Sequence, residues 1–386
     1  MSPAPGLAQV ARAIGQSVAA AHADDVDQAA RFPAETVAEL RRSGLLGALV
    51  PVRWGGPGAS VQDLAGAVTV LAEHCASSGL VLAMHGIQVA CIVRHAAPQT
   101  LERVVPALLA GDLLLANANS EVGLGGERRS SLCALEATEG GYRLEKRAAT
   151  VSYGEFADGV LATARRTPDS PPTDQVFAIC LGPDLSLVPT GDWDTLGLRG
   201  TCSRPAQLSA TLPPELVIED YADVFARTSL PASAILLSAV WQGIAEAAAR
   251  RAHAVVRRQA RKLRVANPDA PPPPGALRLA ELTVLLYQLR AAVSYGATEY
   301  ERVKDTPEVV TMGFSGTMDN LKVSSSTLVI DVVRQAMAIC GLAGYTNTSP
   351  SSLARHARDA AAAPLMVNND RALIASSESL LIRKEL

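Results

Sequence analysis

The chain predicts an α+β fold in three parts: an N-terminal helical domain over residues 1–112, a middle β-barrel-like domain over 113–222, and a C-terminal four-helix bundle over 223–386. Three observations carry this. Apolar residues recur at helical spacing through the first part. Short β-branched or alternating segments, punctuated by Gly and Pro, fill the second. Long amphipathic or uncharged runs separated by turn signals fill the third.

In the first part, Leu7, Val10, Ile14 and Val18 mark one helical face. Phe32-Pro33 opens a helix whose apolar side is Val37, Leu40, Leu45 and Leu46, with Pro33 suited to a first turn. The glycine-rich stretch Val50 to Gly58 ends it. A helix from Ser60 presents Leu64, Val68 and Leu71. Another, Ser78 to His95, is apolar almost all round and is therefore expected to be buried on several sides. Its Met84, His85, Gln88 and Cys91 either line a pocket or are satisfied core groups, the commoner case. A further helix covers Pro98 to Leu109.

Strands are expected at Leu113–Ala118, Cys133–Ala137, Tyr142–Leu144, Gly159–Arg165, Gln175–Leu181 and Ala206–Leu212. The bundle is expected from Pro231 to Leu263, from Ala276 past Tyr295, and from Met318 to Ile339, with a Pro-rich loop at Asn267–Gly275. Its last helix is read through Arg355-His356-Ala357-Arg358-Asp359, the uncharged run Ala360 to Asn369, and Asp370-Arg371. Charges flanking an uncharged run of helix length suggest passage through a buried site.

Composition narrows the partners. A net charge of −3 with a pI near 6.1 gives no general attraction to nucleic acid or to anionic membranes. With 48% hydrophobic but only 4% aromatic residues, the core must be built from Ala, Leu, Val and Ile. Six cysteines lie far apart, with no CxxC and no metal-ligand spacing, so they read as reduced thiols and no metal is expected. Val18 to Ala23 has the look of a small-residue cleavage site, but Arg12 and Gln16 interrupt any apolar stretch before it. The uncharged runs at 79–93 and 228–245 read as too short or too polar to span a bilayer. A soluble, cytoplasmic protein is the expectation.

Five fragments occur in one order. Ser120-Glu121-Val122-Gly123-Leu124-Gly125-Gly126-Glu127 resembles a T-E-x-x-x-G-S-D loop, and Thr150 to Asp158 a W-I-T-N-A-x-x-A-D segment. Gly197-Leu198-Arg199-Gly200-Thr201-Cys202-Ser203 resembles a G-x-R-x-S/T-x-T/S signature. Gly341-Leu342-Ala343-Gly344-Tyr345 is similar to G-G-x-G-Y, and Arg358-Asp359-Ala360 matches R-D-A. Together they resemble the acyl-CoA dehydrogenase superfamily over essentially the whole chain. The resemblance implies an FAD cofactor, a homodimer or homotetramer with the flavin between subunits, and an electron-transfer or reductase partner.

The resemblance also distributes roles. Isoalloxazine needs donors at N5 and at its pyrimidine oxygens; Ser120 and Ser152 fall at the two family positions that supply such hydroxyls, Thr201 and Ser203 fall in the signature strand-turn region, and Glu121 falls in the cofactor loop, although turn capping is the ordinary role of such a Ser or Thr standing alone. Arg257 falls at the family's diphosphate-binding Arg, but without the Phe that accompanies it, and the turn with Gly341 and Gly344 can offer backbone N–H groups to the FAD, with Ala338 in place of the usual Gln. Gly126, Tyr345 and Arg358 fall at substrate positions, Gly126 replacing a Ser.

Catalysis is where the pattern departs. Family dehydrogenases take the α-proton of an acyl thioester with a Glu, commonly nine residues after the Arg of R-D-A; here that count lands on Val367, or on Asn368 one residue further. The alternative place, Pro231 to Leu236, holds no carboxylate either. The leading reading is dehydrogenation of an acyl thioester, on CoA or a carrier protein, with Ser152, Asn368 and Asp370 as catalytic candidates and Glu121 and His356 as further bases. A second reading is the superfamily branch that hydroxylates with reduced flavin and oxygen. That branch needs no such base, only a hydroxyl such as Ser152 near flavin N5. A third is a flavin-binding homologue without catalysis.

Overall fold

The computed structural model describes residues 6–125 and 127–382. Helix α1 (Leu7–Ile14) passes through a π-helical turn, Gly15–Ala19, into α2 (Ala20–Gln28). The turn sits where Gly15 meets the His74 ring; a Cβ there would lie 2.5 Å from it. Helix α3 (Ala34–Arg42) stops before Gly44, whose φ of 75° no longer fits a helix. Ser60 caps α4 (Val61–Ala72) in a reciprocal box with Asp63. Helix α5 (Ala76–His95) is buried on nearly every side, and α6 (Pro98–Ala110) starts on Pro and ends at Gly111.

The middle part is not a barrel. Strands β1 (Leu115–Ala118), β2 (Leu135–Thr138), β3 (Gly141–Ala148), β4 (Gly159–Arg165), β5 (Gln175–Leu181), β6 (Leu185–Pro189), β7 (Ala206–Leu212) and β8 (Val217–Ile218) form two four-stranded sheets, β1-β4-β5-β8 and β2-β3-β7-β6. The sheets are linked by isolated bridges, Glu121 with Ala148 and Ala134 with Arg165. The excursion between β1 and β2 leaves no continuous ladder to close a barrel. Among the strand pairs of the described residues only β1–β4 is parallel, as is the isolated Ala134–Arg165 bridge. Strands β6 and β8 were not foreseen: one alternates half-buried with exposed residues and ends on Pro, the other is two residues long.

Beyond it, α7 (Tyr221–Val224) runs through a second π-helical turn, Phe225–Ser229, into α8 (Leu230–Ala266); α9 (Gly275–Val303) and α10 (Met312–Cys340) pack on it. After α11 (Leu342–Tyr345), the expected last helix is broken into α12 (Ala354–Ala361) and α13 (Asn369–Ile382). Pro364 and Val367, whose φ is 49°, interrupt it, and the buried Lys322 of α10 holds the break by donating to Asn369 Oδ1 and Pro364 O. The bundle is therefore three long helices and a divided fourth.

Helix α8 is shared. It packs against α4 and α5 as well as α9 and α10, so the first part and the bundle have one continuous core. A Cβ on Gly243 would lie 2.4 Å from Thr69 O, and this is how closely α4 and α8 approach. Contrary to the reading of the uncharged runs, Ala76–His95 and Tyr221–Ala266, and also Met312–Cys340, are long and apolar enough to cross a bilayer by length and composition. In this fold 94% and 78% of the first two apolar stretches are buried inside the protein.

Candidate active site

A cleft of about 1240 Å³ opens where the β1 end, the Thr150–Ser152 loop and the Trp193–Ser203 turn meet α5, the start of α8, α10 and the α12–α13 break. Ligand sites are typically about 300–1,000 Å³, so this one has room for a cofactor together with a substrate.

One wall is built from hydroxyls. Thr201 Oγ1 donates to Leu198 O at 2.9 Å, Ser203 Oγ lies 2.8 Å from Thr201 Oγ1, and Ser152 Oγ lies 2.8 Å from Ser203 Oγ. All three line the cleft, Thr201 and Ser203 fully buried. Non-glycine residues in the left-handed region surround them: Tyr153 (φ 44°), Leu198 (51°) and Cys202 (45°). Such positions cost roughly 1–3 kcal/mol each and persist only where the surroundings over-determine them. Here the surroundings do. Tyr153 N donates to Thr201 O at 2.7 Å, and its buried hydroxyl donates to Leu115 O at 2.9 Å. Leu198 N donates to Asp359 Oδ1 at 2.7 Å.

Ser120 also lines the cleft. Its hydroxyl accepts from Thr150 N at 3.1 Å and lies 3.2 Å from Thr150 Oγ1, tying two wall loops together. Asn119 is buried beside it, with Nδ2 donating to Tyr221 OH and Oδ1 without a partner among the described residues. Asn117 donates to Gln88 Oε1 at 3.2 Å, so of the four polar or soft residues marked on α5, Met84 and Gln88 reach the cleft. His85 does not; Leu115 N donates to its Nδ1, its Nε2 donates to Leu46 O, and burial lowers its pKa to about 4.

The R-D-A segment forms the frame of this wall. Arg358 grips Asp27 with both nitrogens and donates to Leu196 O, while Asp359 holds Leu198. Arg358 lines the cleft but its guanidinium is engaged. Gly197 is packed so closely that a Cβ would lie 2.1 Å from Arg358 O. Arg199 is likewise held, donating to Asp27 O and Thr195 O.

Several expected site residues lie elsewhere. Glu121 is buried and accepts from Leu132 N and Cys133 N, 3.7 Å from the Lys146 ammonium; it anchors the β1–β2 excursion and does not line the cleft. His356 accepts from Arg251 at 2.9 Å, and burial beside that cation keeps it neutral, away from the cleft. Asp370 is exposed and off the cleft wall, its N–H capped by Asn368 Oδ1 at 2.7 Å. Val367 and Asn368 do face the cleft, and neither can take a proton. Arg257 is exposed on α8; Gly341 and Tyr345 are exposed and Gly344 buried at the end of α10, all outside the cleft lining of a single chain. Gly126 lies outside the described residues.

The opposite wall was not foreseen. Arg128 lies with its guanidinium carbon 5.0 Å over the Phe225 ring and makes no hydrogen bond or ion pair among the described residues. Asp319, across from it on α10, has its pKa raised to about 6 by burial, against the pull of Arg128 and Lys322. Glu127 and Glu378 are the other acidic residues lining the cleft among the described residues. Arg128 sits in a glycine-rich loop, Phe225 at a helix irregularity and Asp319 in a mixed polar and apolar stretch of α10, so no short motif marks any of them.

The polar wall suits a flavin: three linked hydroxyls, Ser120 and the unpartnered Asn119 oxygen along one side, with Trp193 and apolar α5 and α8 residues to cover a ring. Comparison with known proteins agrees. The chain is 28% identical over 367 residues to the amino sugar nitrososynthase DnmZ of Streptomyces peucetius, covering 90% of this chain and 85% of that one. It superposes on butyryl-CoA dehydrogenase from Megasphaera elsdenii with TM-score 0.83 and 21% identity, covering 97% of each chain. It superposes on KijD3, in complex with FMN and dTDP-3-amino-2,3,6-trideoxy-4-keto-3-methyl-D-glucose, with TM-score 0.82 and 23% identity, covering 99% of this chain and 96% of that one. Residues 6–112 match the acyl-CoA dehydrogenase N-terminal domain and residues 224–366 its C-terminal domain. With both helical parts matched and the β-sheet part between them, the chain belongs to the acyl-CoA dehydrogenase superfamily.

Proposed function

We propose that this protein is a flavin-dependent monooxygenase that oxidises an amine on an anionic, nucleotide-linked sugar. The observation that carries the reading is the pair Val367 and Asn368 at the cleft wall, in the place a dehydrogenase gives to its carboxylate, with Asp370 turned away. The likeness to an amino sugar nitrososynthase over 90% of the chain supports the substrate class.

When bound, a reduced flavin supplies the two electrons that take one oxygen of O2 to water while the other is transferred to substrate. Ser120, Ser152, Ser203 and Thr201 are the groups to hold its polar edge. Arg128, stacked on Phe225 and without a carboxylate partner, is suited to an anionic substrate group. Asp319, ionised above pH about 6, can take the proton from a substrate ammonium so that its nitrogen has a free lone pair. The flavin is assigned as FAD on the resemblance, with Arg257 and the Gly341–Tyr345 turn serving a second subunit, and a reductase is the expected electron source.

The test combines the protein, a flavin reductase, NAD(P)H, O2 and a TDP-linked amino sugar. Product heavier by one oxygen, with oxygen use dependent on the substrate, is the expected result. A second reading, acyl-thioester dehydrogenation, is favoured by one observation: Asp319 is a cleft carboxylate with a raised pKa, as a base would be. Anaerobic bleaching of bound FAD by an acyl-CoA, abolished by Asp319→Asn, would establish it instead.

A further inference from the structure

A helix irregularity underlies the wall that carries Arg128. The π-helical turn Phe225–Ser229 joins α7 to α8, and the residues at its two ends, Phe225 and Ser229, both line the cleft. Such a turn holds one residue more than an α-helical one. It therefore rotates the side chains before it by about 100°, one residue's step, relative to those after it. The Phe225 ring lies 6.1 Å from the Tyr221 ring on one side, and on the other the Arg128 guanidinium carbon is 5.0 Å from its centroid.

The π form is rare, and contacts from outside the helix ladder hold this one. Thr228, within the turn and fully buried, has its Oγ1 2.7 Å from Nε2 of His95, the last residue of α5. The other imidazole nitrogen, Nδ1, lies 3.5 Å from Asp223 Oδ2, and Asp223 Oδ1 accepts from Arg227 Nε at 2.6 Å. The links thus run from α5 to the middle of the turn and to α7 just before it. Burial lowers the His95 pKa to about 4, so the ring is neutral at working pH, and a hydroxyl can meet Nε2 in either tautomer. Neither His95 nor Thr228 lines the cleft.

We infer that His95 and Thr228 are positioning residues for anion recognition: their contact fixes the π-helical turn, the turn fixes the Phe225 ring, and the ring holds the Arg128 guanidinium ready for an anionic substrate group. This rests on the proposed role of Arg128. With no hydrogen bond or ion pair to Arg128 among the described residues, the ring is the contact that orders it. A long side chain ordered beforehand spares the cost of ordering it on binding.

Calorimetric titration of the full chain with thymidine diphosphate, beside steady-state kinetics with a TDP-linked amino sugar, tests it. Thr228→Val keeps the shape and removes the hydroxyl. Its diphosphate affinity is expected to fall, and its KM for the nucleotide-linked sugar to rise, by about three- to tenfold, the range one hydrogen bond spans. The change in kcat is expected to be smaller, with flavin affinity and circular dichroism at the parent values. Thr228→Ser is expected to restore the affinity. His95→Leu, outside the turn, is expected to reproduce the loss, so the test survives misfolding of either variant. Unchanged diphosphate affinity in Thr228→Val and His95→Leu, with Arg128→Ala weakened, overturns the inference and leaves Arg128 in its role. A flavin affinity that falls in step with diphosphate affinity overturns it too, because that marks a general loosening. Diphosphate binding that is absent from the unaltered protein, or indifferent to Arg128→Ala, overturns the anionic-substrate reading and the inference together.

Discussion

Arg358 of α12 and Asp27 of α2 are joined by a two-pronged ion pair, Nη1 to Oδ1 at 2.7 Å and Nη2 to Oδ2 at 2.5 Å. Arg199 donates to the backbone oxygen of the same Asp27, so one aspartate locks the Trp193–Ser203 turn between the N-terminal helices and the C-terminal segment. The pair lies 331 residues apart in sequence. Its Asp side chain is only 9% exposed and its Arg 30%.

Arg358→Ala is therefore expected to lower unfolding free energy by about 2–3 kcal/mol, because it leaves a nearly buried carboxylate without its cation. Chemical denaturation reads this directly. Loss of flavin affinity should accompany it, since the hydroxyl wall depends on the same turn.

Asp359 is buried, and burial raises its pKa to about 6 against the favourable Leu198 N–H and nearby arginines. Its folded pKa exceeds the ordinary unfolded value near 4, so the folded state holds the proton more tightly. The stabilisation this group adds is full below about pH 4 and is lost as pH rises to about 6. Asp359→Asn keeps an oxygen for Leu198 N and removes the ionisation. Relative to the parent, the variant should gain about 2–3 kcal/mol between pH 4 and pH 7. Parallel denaturation curves across that range check the sign, and a flat difference would refute it.

Arg128→Ala should raise KM for an anionic substrate about tenfold or more with a smaller change in kcat, because a charge-assisted contact contributes about 1.5–3 kcal/mol. Binding of free flavin should be little affected. Competition by the nucleoside diphosphate alone, weakened in the variant, separates anion recognition from a general loss of shape.

Arg257→Ala tests the adenylate contact. If Arg257 reaches a neighbouring subunit's cofactor, FAD affinity in the assembled protein falls about tenfold while FMN affinity does not change. Equal losses, or none, would return Arg257 to the role its exposure suggests, a solvated residue on α8.

Much of the chain was legible because local rules governed it. The strands Gly159–Arg165, Gln175–Leu181 and Ala206–Leu212 occur at the bounds their patterns imply. They are flanked by turn residues and are rich in β-branched or apolar side chains. The missed strand Leu185–Pro189 pairs with β7 along one edge, where its alternation is weak and its last residue cannot donate. Ser120, Ser152, Thr201 and Ser203 were identified from short fragments and do meet at one cleft. Glu121, His356 and Asp370 were named as bases from residue type alone. Burial against Lys146, the proximity of Arg251 and the exposed position of Asp370 on a first turn whose Arg371 and Ala372 take the cleft side keep them from the cleft, and none of these is a local property.

By itself the sequence determined the order of helices, strands and helices, the family, and the absence of a carboxylate at the expected tail position. Those depend on periodicity, turn residues and identity at single positions. Only the tertiary structure decided that the tail helix breaks at Pro364 and Val367, that Arg358 and Asp359 frame the site, and that Arg128, Phe225 and Asp319 share a wall. The reason is distance along the chain: each of these contacts joins segments tens to hundreds of residues apart, and their placement follows from how α8 and α10 pack.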